Sequence, residues 1–423
     1  MELIKNLFKG DKVVWVVFLL LCLISIVEVF SATSTLAFST GDYWAPIRRH
    51  SLFLFGGALL AMAVQFIPLR MFKLAPLLLL VSWVFLVLLQ FGLGVEINDG
   101  ARWFNFFGIR FQPSELAKMG LVISTAFVLS FMQEEGGASP RTLKYLLWLA
   151  VPTLVLIAPD NLSTALILGG VVYLMMFIGR IPMKQMAKLT GILVAAGALF
   201  VTFLVVTPSE TLEKIPLLEQ RGPTWKKRVL NFTDKEHKNV PPEEFDIQSK
   251  ENYQVGHANI AISSGHLFGR GPGNSKERDL LPQAYSDFIF AIILEELGLV
   301  PGAVVIFLYL VLLIRTAKIA NKCDKDFPAL MAIGIALLIV AQALVNMMVA
   351  VGLFPVTGQP LPLISRGGTS TIINCVYVGI ILSVSRYNNL RAEKQQALAE
   401  GDTSQAERIE EMDKGLERDP APQ

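Results

Sequence analysis

Two segments of this 423-residue chain place charges where an apolar helix ordinarily carries none. The first is Arg110-Phe111-Gln112-Pro113-Ser114-Glu115-Leu116-Ala117-Lys118. Pro113 suits the first position of a helix, where its missing N–H leaves no gap in the ladder. Glu115 and Lys118 then stand i, i+3 on one face, one turn into an apolar run. Charges at such depth in a bilayer are expensive and must face protein or a wet cavity. The pair reads either as a structural ion pair between two helices or, with Arg110 beside Lys118, as a cationic wall for an anionic head group. The second segment, Leu281-Pro282-Gln283-Ala284-Tyr285-Ser286-Asp287-Phe288-Ile289-Phe290-Ala291, sets Asp287 at the head of another apolar run. An aspartate in a first turn complements the helix dipole, and Ser286 is able to cap. At a membrane–water boundary the same carboxylate is placed to act as a general base. Glu295 and Glu296 follow two turns deeper. On one continuous helix they would point about 80° away from Asp287 and nearly opposite to it. Three carboxylates so arranged cannot share one site, and at least one should pair with a cation on another helix.

Two other stretches carry weaker signals. Gly265-His266-Leu267-Phe268-Gly269-Arg270-Gly271-Pro272-Gly273-Asn274-Ser275 has glycines dense enough for tight turns or close backbone approach to a ligand. It lacks the GxxxxGK[ST] of a phosphate-binding loop, and a plain surface turn explains it equally well. Lys276, Arg278 and Asp279 follow at once. Pro355-Val356-Thr357-Gly358-Gln359-Pro360-Leu361-Pro362-Leu363-Ile364-Ser365-Arg366-Gly367-Gly368 cannot form a regular helix. Irregular backbone near a membrane must be buried in protein or line a wet cavity, and Arg366 brings a cation there. His50, His237, His257 and His266 show no ligand spacing. Cys22, Cys323 and Cys375 supply neither a disulfide framework nor a zinc pattern.

The elements that must position these residues are written in hydropathy. The chain is 53% hydrophobic and 17% charged, against about 25% charge in an ordinary soluble domain. Lys+Arg at 37 and Asp+Glu at 35 leave +2, without the clustered basic footprint of a nucleic-acid binder. A spanning helix needs about 20 mostly apolar residues. Ten candidate runs are visible, at 13–32, 51–69, 74–94, 113–132, 145–159, 162–179, 189–207, 286–313, 328–352 and 367–385. The fifth is short, ends at Pro159-Asp160 and should form a hairpin with the sixth. The first follows Lys5, Lys9 and Lys12, but is longer than the roughly 7–15 apolar residues of a signal peptide and reads as an uncleaved helix. With the N-terminus cytoplasmic, the short inner loops hold Arg70, Lys73, Arg141, Lys144, Arg180, Lys184, Lys188, Arg315, Lys318, Lys322 and Lys325. The short outer loops hold Arg48, Arg49, Arg102, Arg110 and Arg366. The expected fold is an all-α integral membrane protein, a polytopic bundle of ten transmembrane helices. A long extracytoplasmic loop, 208–285, lies between helices seven and eight. Residues 1–385 form the membrane domain, and 386–423 a polar cytoplasmic tail, partly disordered.

Taken together the motifs resemble the SEDS family, the polytopic cell-wall polymerases that include FtsW and RodA. The match runs from the first helix to about residue 385. It is carried by Phe111 through Lys118, Pro159-Asp160, Asp287 through Ala291 with Glu295-Glu296-Leu297-Gly298, and Pro355 through Gly368. Gly271-Pro272-Gly273-Asn274-Ser275 with Leu281-Pro282 looks more like the division members than the elongation members. The resemblance implies a peptidoglycan glycosyltransferase of the inner membrane and division septum. It would polymerise lipid II, the undecaprenyl-pyrophosphate disaccharide-pentapeptide, at the outer leaflet beside a class B penicillin-binding protein and other division proteins. It maps the catalytic aspartate to Asp287 and the acidic residue eight positions earlier to Asp279. The basic pair maps to Arg110 and Lys118, with Glu115, Asp160 and Arg366 also placed at the substrate. No cofactor is implied with certainty; a divalent cation bridging the pyrophosphate to Asp287 or Asp279 is compatible, and no metal ligands are specified. Three places depart from the family pattern: Ala158 before Pro159-Asp160 and Asn161 after it; Gln283-Ala284-Tyr285-Ser286 for Glu-Ala-His-Thr; and Ser365-Arg366 for Ser-Tyr. A lipid II flippase, an elongation polymerase and a non-catalytic scaffold for a transpeptidase are the competing readings.

Overall fold

The computed structural model describes residues 8–33, 41–42, 44–96, 101–106, 109–213, 222–233 and 253–400, with the single residues 402, 404 and 409. His237 and parts of the 208–285 loop and of the polar tail fall outside them. Eight helical segments are long and apolar enough to cross a bilayer. They are α1 (Lys12–Ala32), α2 (Ala45–Val64), the pair α3 (Leu69–Phe72) and α4 (Ala75–Gln90), α5 (Pro113–Phe131), α8 (Met183–Val206), α13 (Leu299–Ala320), α14 (Asp326–Ala350) and α15 (Thr369–Ala399). The apolar helices α6 (Thr142–Ile157) and α7 (Leu162–Ile178) are shorter. They meet at the expected hairpin, where the Asn161 side chain caps α7 by accepting from the Thr164 N–H at 3.1 Å.

α14 is apolar on almost every face and packs against α5, α7, α13 and α15, as a helix without a polar face must. α15 crosses α2 at small residues: a Cβ added to Gly57 would stand 2.7 Å from the Cys375 sulfur, and one on Gly379 2.9 Å from the Ala61 carbonyl oxygen. Such contacts draw membrane helices together where no hydrophobic force separates protein from lipid. At the opposite extreme, α8 buries only Met186 and Leu204 along its length. α10 (Gly222–Thr233) leans on it, Trp225 edge-on to Phe200 at 6.1 Å.

Three features differ from the sequence reading. The run at 286–313 is not one helix. It divides into α12 (Ile289–Glu296) and α13 at Gly298, whose φ is +94°. A Cβ there would lie 2.4 Å from the Gly269 nitrogen and 2.5 Å from the Leu267 oxygen. Hydropathy is continuous across the break, which is made by backbone packing alone. Consequently Asp287 does not open a helix; it sits in a chain of turns ahead of Ile289. Second, the all-α expectation omits short strands. β1 (Val95–Glu96), β2 (Ala101–Phe106) and β3 (Ile109–Phe111) form a small antiparallel sheet in the order β1-β2-β3, and β4 (Gln133–Glu134) pairs with β5 (Gly137–Ala138). Third, α15 runs unbroken past residue 385 to Ala399.

Candidate functional site

The irregular segment after α14 is the keystone of the site. Its polar backbone groups are satisfied one by one, as buried backbone requires. Ser365 Oγ donates to the Ser286 carbonyl at 2.6 Å and accepts from the Leu361 N–H at 2.7 Å. The Arg366 N–H donates to the Tyr285 carbonyl at 3.0 Å. Asn346 of α14 donates from Nδ2 to the carbonyls of Gln359 (2.7 Å) and Asp287 (2.9 Å). Gln359 Nε2 donates to Thr164 Oγ1 at 2.8 Å, and Ser25 of α1 donates to the Ile364 carbonyl at 2.7 Å. Segments 283–287 and 355–368 are thereby stitched to each other and to three helices.

Between them lies a cavity of about 500 Å³. Asp287, Arg110, Glu115 and Arg366 line it, as four of the seven residues singled out above. Asp287 is half-buried and accepts from Ser286 Oγ at 2.8 Å. Gly358, with φ +67°, lies so close that a Cβ there would stand 3.6 Å from Asp287 Oδ2. Arg366 stacks on the Tyr285 ring, its guanidinium 5.4 Å from the centroid. Two of the departures from the family pattern, at 285 and 366, therefore touch each other. Burial lowers the proton affinity of Arg366, Tyr285 raises it, and the positive charge of Arg49 lowers it again. Arg49, Arg110 and Arg366 form no salt bridge among the described residues. Guanidiniums that repel one another in a shared cavity are suited to a polyanion, which each can grip with two N–H bonds.

The other three residues lie apart from the lining. Lys118 is buried behind Glu115, its Nζ 2.8 Å from Glu115 Oε1 and 3.4 Å from Gln342 Oε1. Among the described residues Glu115 Oε2 has no hydrogen-bond partner. Asp160 is set back at the α6–α7 turn, where its neighbours Asn161 and Thr164 line the cavity instead. Asp279 lies 3.8 Å from Arg278 Nε in a 3-10 turn, Glu277–Asp279. Sequence reasoning did not single out Arg49, Arg228, Trp103 and Gln254 as site residues, although they also line the cavity. Arg49 was visible as an outer-loop cation. Arg228 lies on α10 in a charged loop that offered no signal to separate it from its lysine neighbours.

The glycine-rich segment serves a different purpose. Glu295 and Glu296 are fully buried. Glu296 accepts from the N–H groups of Gly273 (3.0 Å) and Ser275 (3.3 Å) and from Ser31 of α1. Glu295 accepts from the N–H groups of Lys276 (3.0 Å) and Glu277 (3.3 Å) and from Ser275 Oγ. Arg270 lies 3.9 Å from Glu295 and Arg278 3.8 Å from Glu296; the cations come from the loop that wraps the two acids and not, as expected, from another membrane helix. His257 pairs with Glu277 at 2.5 Å.

For a divalent cation the donor set is thin. Among the described residues no three His, Cys, Asp or Glu side chains cluster as ligands. Asp287 alone fits a magnesium-like ion of the kind held by one or two carboxylates plus substrate phosphates; Asp279 is off the lining.

The sequence model of a family described as "Cell cycle protein", FtsW/RodA/SpoVE, matches residues 11–390. A probable peptidoglycan glycosyltransferase FtsW of Halomonas elongata is 32% identical over 388 residues, 90% of this chain and 91% of that protein. One of the same description from Geobacter metallireducens is 30% identical over 395 residues, 90% and 96% of the two chains. Among solved structures, a chain of a peptidoglycan synthase complex that coordinates polymerization and crosslinking superposes with a TM-score of 0.68 at 25% identity, covering 90% of this chain and 98% of that one. The rod shape determining protein RodA of Thermus thermophilus superposes at 0.59 and 25% identity, covering 90% and 98%.

Proposed function

The chain belongs to the FtsW/RodA/SpoVE family of cell cycle proteins, and from that premise we propose that it is a peptidoglycan glycosyltransferase that polymerises lipid II. The observation that carries the reading is the cavity, in which one half-buried carboxylate, Asp287, meets the guanidiniums of Arg110, Arg366 and Arg49. An acceptor hydroxyl is a poor nucleophile at neutral pH, and Asp287 accepts its proton as the C–O bond forms. Negative charge develops on the departing lipid pyrophosphate, where arginines in a water-poor site stabilise it. An α-linked donor giving a β-linked product needs a single inverting displacement, hence one base and no covalent intermediate. A divalent cation, when bound at Asp287, would add charge stabilisation at the pyrophosphate. Glu115 would contact substrate while Lys118 holds it in place and neutralises it. Asp160 and Asp279 would act through the turns that carry Asn161 and the loop ahead of Asp287.

The same reading takes α6 and α7 as membrane-crossing. Ten crossings then put both termini in the cytoplasm and the cavity at the outer leaflet, with the 208–285 loop above it. The membrane domain ends near residue 385, and 386–423 is the cytoplasmic tail. Reporter fusions at Glu135 and Lys322 should be cytoplasmic. One at Lys238, which lies outside the described residues, should be external; a cytoplasmic result there would overturn this topology. The relatives named FtsW favour division at the septum over elongation, and the synthase complex supports a class B penicillin-binding protein as partner. The test is incubation of the purified chain with labelled lipid II, with and without such a partner. Glycan strands are expected; transfer of lipid II across vesicles without polymer would instead select the flippase.

A further inference from the structure

A shallow, open groove lies along one outer face of α6, far from Asp287 in the chain and sharing no lining residue with its cavity. Its floor is apolar, built from Leu143, Leu147, Val151 and the exposed Trp148. It begins at Pro140 and stops at Pro152. Pro152 sits inside the helix and has no N–H to offer the Trp148 carbonyl, a local break in the ladder that closes the groove. The helical part of that span, residues 142–152, rises about 15 Å. A single leaflet of the hydrocarbon core is about 15 Å deep, whereas a spanning partner helix would need a seam of about 30 Å. The groove has the length of one leaflet.

Its mouth is cationic. Lys144 lines it and Arg141 stands beside Pro140. Two backbone ties bring further cations to the same end: the Ala138 N–H donates to the Arg180 carbonyl at 3.1 Å, and Gln185 Nε2 donates to the Pro140 carbonyl at 3.0 Å. The second fixes the start of α8, with Lys184 and Lys188, next to the opening. All five cations are exposed, and none is in a salt bridge among the described residues. Glu134 and Glu135 on the β4–β5 hairpin are the acids of this end, and they offset only part of that charge. Basic pockets beside membrane helices bind acidic lipid head groups, each Lys or Arg near the surface adding to the attraction.

From this juxtaposition of a leaflet-deep apolar groove and unpaired cations at its mouth, we infer that α6 holds one acidic phospholipid, its acyl chain along Leu143, Leu147 and Val151 and its phosphate at Lys144 and Arg141. The topology proposed above makes this the cytoplasmic leaflet; the binding itself does not depend on that assignment.

The experiment uses the full chain in detergent micelles doped with dioleoylphosphatidylglycerol or dioleoylphosphatidylcholine. Lipid retention is read by native mass spectrometry and stability by thermal melting. Phosphatidylglycerol should be retained in preference and should raise the melting temperature. Arg141→Gln with Lys144→Gln should weaken its retention about tenfold, and Val151→Trp, which fills the groove, should remove it with the charges intact. Because Lys144 is exposed, Lys144→Gln alone serves if the double variant folds poorly. Equal retention of the two lipids, protection by inorganic phosphate alone, or retention unchanged by the charge variants would each overturn the inference. Polymerisation of lipid II by the same variants should be unchanged, so that failure here and failure of the proposed activity are read separately.

Discussion

Asp287 and the pair Glu295–Glu296 stand eight and nine residues apart and have opposite fates. The two glutamates are fully buried and receive backbone N–H groups from Gly273, Ser275, Lys276 and Glu277, with arginines behind them. Asp287 is half-buried, faces an open cavity, and shares it with cations that repel one another. A carboxylate enclosed by donors stabilises a fold and can do little else, because its proton affinity and its oxygens are already committed. A carboxylate at a cavity wall beside arginines instead faces whatever enters the cavity, where a substrate hydroxyl can come within its reach. Glu115 lies between these cases, since one oxygen meets Lys118 and the other has no hydrogen-bond partner among the described residues.

The strongest way to break this contrast is Asp287→Asn, which keeps size and removes the base. Glycan product should fall about 10²–10⁴-fold, with melting and partner binding nearly unchanged; near-normal polymer would remove Asp287 as the base. Lys118→Ala should strand the Glu115 charge and lower stability by about 3–5 kcal/mol, as loss of one partner of a buried pair does. Glu115→Gln with Lys118→Met should recover much of that stability. If the double variant also polymerises normally, the pair is structural; if it melts normally but makes no polymer, Glu115 belongs with Asp287. Glu296→Gln should cost about 1.5–3 kcal/mol in melting by turning an acceptor into a donor among N–H groups. A larger loss of polymerisation than of stability there would erase the distinction between the clamp and the cavity. The smallest effect is expected from Gly358→Ala, whose left-handed backbone costs about 1–2 kcal/mol. Because its Cβ only approaches Asp287 Oδ2, a fall in kcat greater than that strain explains would show that this backbone sets the carboxylate.

Much of this was legible in advance. The apolar runs located α1, α4, α5 and α14 to within a few residues at both ends, because a segment facing lipid must be apolar throughout and satisfy its own backbone. The i, i+3 geometry of Glu115 and Lys118, the Pro113 start and the irregular Pro355–Gly368 segment were all readable from local chemistry. The break at Gly298 was not. The apolar run continues through it, and only the backbone of Leu267 and Gly269 coming within contact distance makes a glycine necessary there. The start of α2 at Ala45 was missed for a related reason: Arg48, Arg49 and His50 interrupt the apolar run, yet they belong to the helix, Arg49 and His50 lining the cavity and Arg48 pairing with Asp42.

The sequence by itself determined that the chain is a membrane helix bundle, which residue types could do chemistry, and the family they resemble; these follow from composition, spacing and local motif, which act over a few residues. Tertiary structure alone decided which acids hold loops and which faces the cavity, that Lys118 stands behind Glu115 and not at the wall, and that Arg49 and Arg228 join Arg110 and Arg366 around Asp287. Those outcomes depend on distances between segments up to hundreds of residues apart. A carboxylate's role is set by the donors and charges the fold brings to it, and these are not encoded in its neighbours along the chain.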